Sequence, residues 1–412
     1  MIIYAVDFYF NSTFVLNYSE LLFIVSLVIL ILILCLKFDY SGPKRIPLHT
    51  DSAFGMPCLR ANDLIVQEFD SKGNLWASRG MIIYMLKKGD NGFIRMTHVP
   101  SGFSYFWLNN FSICRRFTLR PECIEMTVAE GGSICAFSSG KMWISNDVSK
   151  KFVKTLKLQN FGKGVGRGIM STGLIQVNKQ ELLFGEYFSN SERTSVRIYK
   201  YENSDMLWKT VHEFLPGKIR HIHALQKDPY TGKLWICTGD EDKESMIGWS
   251  DDVFKNITPI GQGSQIWRTC QLVFTKEAVF WGTDTGSENL AGIYRWDKKN
   301  MELTRLLKTD GAVFFGTRLT NGTIVLSTDR EGFSNEKDER TRLFILNKDE
   351  NLITVTCGTW RYKSPGFRFN FAKLRFQRNQ GNDLLAISVL NQKEFPDGEL
   401  LIFNEENLAA LF

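Results

Sequence analysis

No two of the eight cysteines (35, 58, 114, 123, 135, 237, 270 and 357) stand in a C-x-x-C spacing, which removes a zinc knuckle and a thioredoxin-like redox pair. Their scatter along 412 residues is also unlike a disulfide scaffold, so buried free thiols are expected, with Cys114 and Cys123 as the one pair an oxidising compartment would join. Proline is scarce at 10, and the 33 glycines exclude nothing more than collagen-like and proline-rich architectures. A dominant charge sign is missing as well. The net +6 is mild and holds no basic block, so nucleic acid is not an expected partner. There is no Walker loop, no G-x-G-x-x-G after a strand and no G-x-S-x-G elbow, which leaves nucleotide-dependent and serine-hydrolase chemistry without support. Beyond residue 45 no periodic run reads as a helix of more than two turns.

Aromatic residues are abundant: 32 Phe, 12 Tyr and 10 Trp make up 13%, within an apolar share of 44%. That composition favours a globular β-sheet core over a helical bundle.

Leu21 to Leu36 reads LLFIVSLVILILILCL, without a charge, and is closed by Lys37 and Phe38. A stretch of this length lies at the short end of the roughly 17–25 residues that span a bilayer. A cleaved signal peptide is the rival, but the first twenty residues contain no Lys or Arg, and no small-x-small site follows. Residues 21–38 are therefore expected to be a single transmembrane helix between a tail (1–20) and a linker (39–57) carrying Gly42, Pro43 and Pro47. Lys37, Lys44 and Arg45 would place the remainder in the cytoplasm, whereas N-x-S/T triplets at Asn11, Asn17, Asn110, Asn256 and Asn321 argue for the other side, which stays open.

From residue 58 to 412, short strand-like runs alternate with turn signals every 8–12 residues. An internal repeat decides among the all-β architectures. Arg167, Arg220, Arg268, Arg318 and Arg368 recur about fifty residues apart, each opening an apolar-alternating run. A second series closes the next strand: Glu186 in LLFGEY, Asp240 in WICTGD, Asp284 in VFWGTD and Asp329 in VLSTD. Third strands (VRIYKY, MIGWSDD, GIYRWD, RLFILN) and weaker fourth strands follow. Four strands per unit of this length predict a β-propeller blade. Units near 168–217, 218–263, 265–311, 312–360 and 367–404, with 62–100 and 123–159 before them, predict seven blades. Six remain possible if 62–122 is irregular or if N-terminal strands close the last unit.

Two segments after third strands, Ser145-Asn-Asp-Val-Ser-Lys-Lys-Phe152 and Ser250-Asp-Asp-Val-Phe-Lys-Asn256, resemble the Asp-box, S-x-D-x-G-x-T-W, of sialidase-like (BNR-repeat) propellers. Tyr201 to Trp208 resembles a degraded copy that keeps Asp205. The resemblance covers most of 123–360. The box glycine is missing throughout, so what it implies is the fold, with the box aspartate capping a turn through backbone N–H groups.

Strand one begins at the edge where antiparallel strand two ends, so the arginine and acidic series should meet around one channel mouth. Arginine forks bind carboxylates in a bidentate way, and several around one mouth suit a uronic or sialic acid. Sialidases use such a cluster with an acid and a Tyr–Glu nucleophile pair. The resemblance therefore implies Glu186, Tyr187, Asp240 and Asp284 as candidate catalytic residues, and Arg167, Arg220, Arg268, Arg318 and Arg368 as candidate substrate ligands. The competing reading is a latch, in which Arg and Asp of each blade simply pair. His221 and His223, the one close pair among five histidines, point to one face of a strand and join the substrate-binding set. A metal there would need Asp240 or Glu186 as further ligands; histidines hydrogen-bonded between blades are preferred, and neither metal nor cofactor is expected. Trp249, Trp267 and Trp281 suit stacking on sugars or, more commonly, the blade core. The expected protein is thus a membrane-anchored, sialidase-like propeller for an acidic glycan, with a non-catalytic interaction propeller as the alternative.

Overall fold

Runs such as His221–Lys227 and Leu234–Gly239 are buried on both faces and too short for anything but interior strands. The outer strand of the same unit, Thr258–Gln262, has no fully buried residue. This gradient from centre to rim is what a propeller blade requires. The computed structural model describes residues 25–26, 42–100, 124–129, 132–147, 151–159, 168–361 and 371–412.

Residues 43–412 form seven antiparallel sheets. The innermost strands, in chain order, are Ile65–Phe69, Glu125–Val128, Leu174–Asn178, His221–Lys227, Leu272–Phe274, Val313–Arg318 and Lys373–Phe376. The second to sixth blades are four-stranded meanders of consecutive strands. The seventh is composite: Lys373–Phe376, Leu384–Leu390 and Glu399–Asn404 are completed by Met56–Ala61 and His49–Ala53 from the other end of the domain. Arg45–Pro47 adds a fifth strand to the first blade. N-terminal strands do close the last unit, yet the count remains seven, because 62–100 forms a full blade of its own.

Seven apolar clusters hold the ring together, one at each blade–blade interface. Ile222 and Leu234 of the fourth blade pack on Leu183 and Ile198 of the third; Trp281 and Leu272 of the fifth pack on Trp235 of the fourth. A buried Leu, Ile or Phe stabilises by about 1.5–3 kcal/mol, so each interface outweighs any single polar contact across it. The tryptophans take the core fate: Trp281 is buried with its Nε1 donating to the Ile266 carbonyl, Trp267 lies against it, and Trp249 sits under the Lys233 ammonium. The cysteines described (58, 135, 237, 270 and 357) are free thiols, and the 114–123 pair lies outside the described residues.

Across the channel run two ion pairs. Arg375 of the seventh blade binds Glu125 of the second through two contacts of 3.0 and 2.7 Å, and Arg378 binds Glu68 of the first at 2.8 Å. Arg378 also donates to the Ser171 and Leu174 carbonyls of the third blade.

At Ser250–Asn256 the turn matches the role expected of the box aspartate: Asp252 Oδ1 accepts from the Asn256 amide at 3.0 Å, and Ser250 Oγ accepts from the Phe254 amide at 2.8 Å. Those bonds, chiefly the Asn256 amide, hold the Asp252 carboxyl at about 2. The degraded copy differs, since Asp205 pairs with Lys209 rather than with backbone. Residues 21–38, apart from Val25 and Ser26, lie outside the described residues, and no described helix is long and apolar enough to cross a membrane.

Candidate functional site

One mouth, at the beginnings of the innermost strands, collects the candidate chemistry from blades three to six. In the fourth blade His221 opens the innermost strand, and Asp240 follows Gly239, its register partner at the end of the second strand. The register shifts between Ile222 and Ala224, which makes His223 the extra residue of a β-bulge. The result is a tight convergence. His221 Nε2 and His223 Nε2 are 2.9 Å apart, and Asp240 Oδ1 is 3.3 Å from each.

Proton positions follow from the neighbours. His221 Nδ1 faces the Phe188 carbonyl at 2.9 Å and is therefore the donor, leaving a lone pair on Nε2. The proton between the two rings then belongs to His223 Nε2, and His223 Nδ1 carries a lone pair. Burial holds His221 below its usual range, so it is neutral. Burial also works against ionisation of Asp240, but the imidazoles beside it, with His223 Nε2–H as the donor, hold the carboxyl below its ordinary value.

Two guanidiniums frame Asp240: Arg220 Nη1 at 2.8 Å and Arg268 Nη2 at 3.2 Å. Arg220 Nε also donates to the Ser189 carbonyl, and its side chain remains 31% exposed. Arg268 reaches Asp284 as well, Nε to Oδ2 at 3.2 Å. Asp284 is buried and lies 3.8 Å from His223 Nδ1, with the Cys270 thiol 3.6 Å from its Oδ2. Burial pushes the Asp284 carboxyl up, against the pull of Arg268. Glu331 of the sixth blade, half-buried, is pushed up to about 8 by burial and by the charge of Asp284. The Tyr187 ring covers the His221 ring at 4.1 Å.

Not every expected residue joins. Glu186 is turned into the third blade, where its Oε2 accepts from the Arg197 amide at 2.9 Å and its Oε1 lies 3.5 Å from the Tyr199 hydroxyl. A Tyr–Glu nucleophile pair is therefore not assembled. Arg318 ends its innermost strand instead of opening it, so it sits at the opposite mouth, donating to the Phe274 and Leu319 carbonyls. Arg167 and Arg368 lie outside the described residues. Sequence reasoning missed Cys270 and Glu331. Cys270 stands two residues after Arg268 on the same strand approach, and Glu331 two after Asp329, so the repeat itself was the available signal.

In the sixth blade the ion pair recurs with its signs exchanged: Asp310 precedes the innermost strand, and Arg330, fully buried, follows the second strand and binds it at 3.0 Å.

No family model matches the sequence, and no curated protein does. Solved structures do. The chain is similar to an oligogalacturonate lyase in complex with manganese, at 12% identity and a TM-score of 0.56, over 88% of this chain and 97% of that one. It is also similar to the GH74 enzyme of Niastella koreensis (12%, 0.51, 79% of this chain and 50% of that one) and to YCF48 bound to D1 peptide (12%, 0.50, 89% and 96%). These likenesses show the propeller fold. Nothing among them identifies Asp-box repeats, so the sialidase-like expectation narrows to a seven-bladed propeller.

Proposed function

We propose that this mouth binds an acidic glycan, with a divalent cation held by His221, His223 and Asp240. The observation that carries the reading is the facing of the His221 lone pair and the Asp240 carboxylate at 3.3 Å, closed by a second imidazole. Electron-pair donors brought this close repel unless a proton or a cation lies between them. Three donors on one octahedral face with bonds of about 2.1–2.2 Å stand about 3.0 Å apart, close to the separations here. The Phe188 carbonyl fixes the His221 tautomer from behind, as ligand histidines need, and His223 would join the set by carrying its proton on Nδ1 in place of Nε2.

Charge balance makes the two halves of the proposal depend on each other. Asp240 and Asp284 face Arg220 and Arg268, so the arginines alone do not give the mouth a positive sign. A bound divalent ion would supply that sign and a Lewis acid for a uronate carboxylate. Arg220, partly exposed, would then orient the carboxylate, and Glu331 would offer a proton at neutral pH. The neighbouring lyase, whose substrate name is an acidic glycan and whose structure holds manganese, supports the choice of probe. The test is binding and product release with oligogalacturonates and sialylated oligosaccharides, in manganese and after chelation. Metal-dependent retention of an acidic oligosaccharide is expected; no retention of any acidic glycan, or retention indifferent to chelator, overturns the reading.

A second reading has its own observation. The Asp310–Arg330 pair repeats the geometry where no histidines stand, as a structural latch would. On that reading the propeller is a non-catalytic interaction module. We also propose residues 21–38 as a membrane anchor, supported by the uncharged run from Leu21 to Leu36. The full chain should stay with membranes through high-salt and carbonate washes; release by either removes the anchor.

A further inference from the structure

Behind the histidine pair lies a second donor set, of which the glycan reading uses only the other nitrogen of His223. His223 Nδ1, Cys270 Sγ and the Asp284 carboxylate lie within 4.8 Å of one another, and all three residues are buried. The proton relay described above, from the Phe188 carbonyl through His221 to His223, aims the His223 Nδ1 lone pair into this set. Nδ1 has no hydrogen-bond partner, and neither has Asp284 Oδ1. Buried polar atoms of this kind are rarely left orphaned. The frame is rigid as well: the buried Thr172 hydroxyl of the third blade lies 2.7 Å from the Cys270 carbonyl and 3.1 Å from that of His223, tying together the two strands that carry the ligands.

We propose that His223 Nδ1, Cys270 Sγ and Asp284 form an inner site for a thiophilic divalent metal of the zinc class, distinct in chemistry from the oxygen- and imidazole-rich outer triad. Tetrahedral ligands bound at about 2.0–2.3 Å stand about 3.3–3.7 Å apart. The observed 3.6 Å (Sγ to Oδ2) and 3.8 Å (Nδ1 to Oδ2) match that spacing, so the three side chains supply three of the four tetrahedral donors. A mixed nitrogen, sulfur and carboxylate set selects zinc or cobalt over magnesium or calcium. Loading forms the metal–sulfur bond as the thiol S–H breaks, and the proton leaves to solvent. Arg268 Nε, 3.2 Å from Asp284 Oδ2, orients the carboxylate from outside the ligand set.

His223 has one lone pair and so serves one ion at a time, through Nδ1 within or Nε2 at the mouth; the inner site does not need a glycan, so the two readings fail separately. Cobalt(II) titration of the reduced full chain tests it, read by the near-ultraviolet thiolate-to-cobalt charge-transfer band. One equivalent should produce the band, Cys270→Ser should abolish it, and Asp240→Asn, which takes the carboxylate from the outer triad and leaves the histidine relay in place, should retain it. Absence of the band in the unaltered protein, its persistence in Cys270→Ser, or its loss in Asp240→Asn overturns the proposal. Loss of glycan binding with the band intact overturns only the reading of the mouth.

Discussion

Glu331 shows how one buried charge can be read by titration. Its carboxyl is raised from near 4.5 to about 8, first by burial and then by Asp284. Between those values the folded protein holds a proton that the unfolded chain has released, so stability from this group falls as pH rises through the window and is level above it. Glu331→Gln removes that slope. The variant should match the parent near pH 4.5 and exceed it in denaturation midpoint above about pH 8; equal midpoints across the range would place Glu331 in ordinary solvent. At this scale the sequence was partly legible. The histidine pair, Asp240, Asp284, Arg220 and Arg268 meet as the repeat implies. Arg318 does not, because a fifty-residue period identifies the blade without distinguishing the two ends of a six-residue strand. The true equivalent in the sixth blade was hidden by the exchange of Asp310 for arginine and Arg330 for aspartate, which residue-type matching cannot see.

Among the elements, the second strand of each middle blade ends in glycine: Gly185, Gly239 and Gly282 in LLFGEY, WICTGD and VFWGTD. The reason is close approach rather than backbone freedom. A Cβ on Gly282 would lie 2.1 Å from Val313 Cγ1 and 2.7 Å from the Val313 carbonyl, and one on Gly185 would lie 2.7 Å from Ile222 Cγ2. Gly239 is less closely confined: a Cβ there would lie 3.1 Å from Arg268 Cγ and 3.2 Å from Ser245 Oγ. Gly282→Ala should therefore force the fifth and sixth blades apart and cost about 1–3 kcal/mol in urea denaturation; an unchanged midpoint would show that the interface yields freely. The motifs were visible in the sequence as strand ends. That their glycines set the distance between blades was not, since it depends on which strand packs behind them. The bulge at His223 was equally invisible, because strict alternation already put both histidines on one face.

Residues 43–412 form a ring closed by their own N-terminal strands, with the Arg375–Glu125 and Arg378–Glu68 pairs joining blades that the sequence keeps far apart. Four-strand periodicity was enough to predict the propeller, whereas closure joins residues more than 300 positions apart and leaves no local signature. Arg318, at the end of its innermost strand and so at the far mouth, gives a control. The central claim is that His221, His223 and Asp240 form a cation site on which acidic-glycan binding depends. Manganese titration followed by electron paramagnetic resonance tests it most directly. The unaltered protein should take up manganese at its outer triad, Asp240→Asn should bind at least tenfold more weakly, about 1.4 kcal/mol, and Arg318→Met should be unchanged. No uptake by the unaltered protein, or equal affinity in Asp240→Asn, would contradict it.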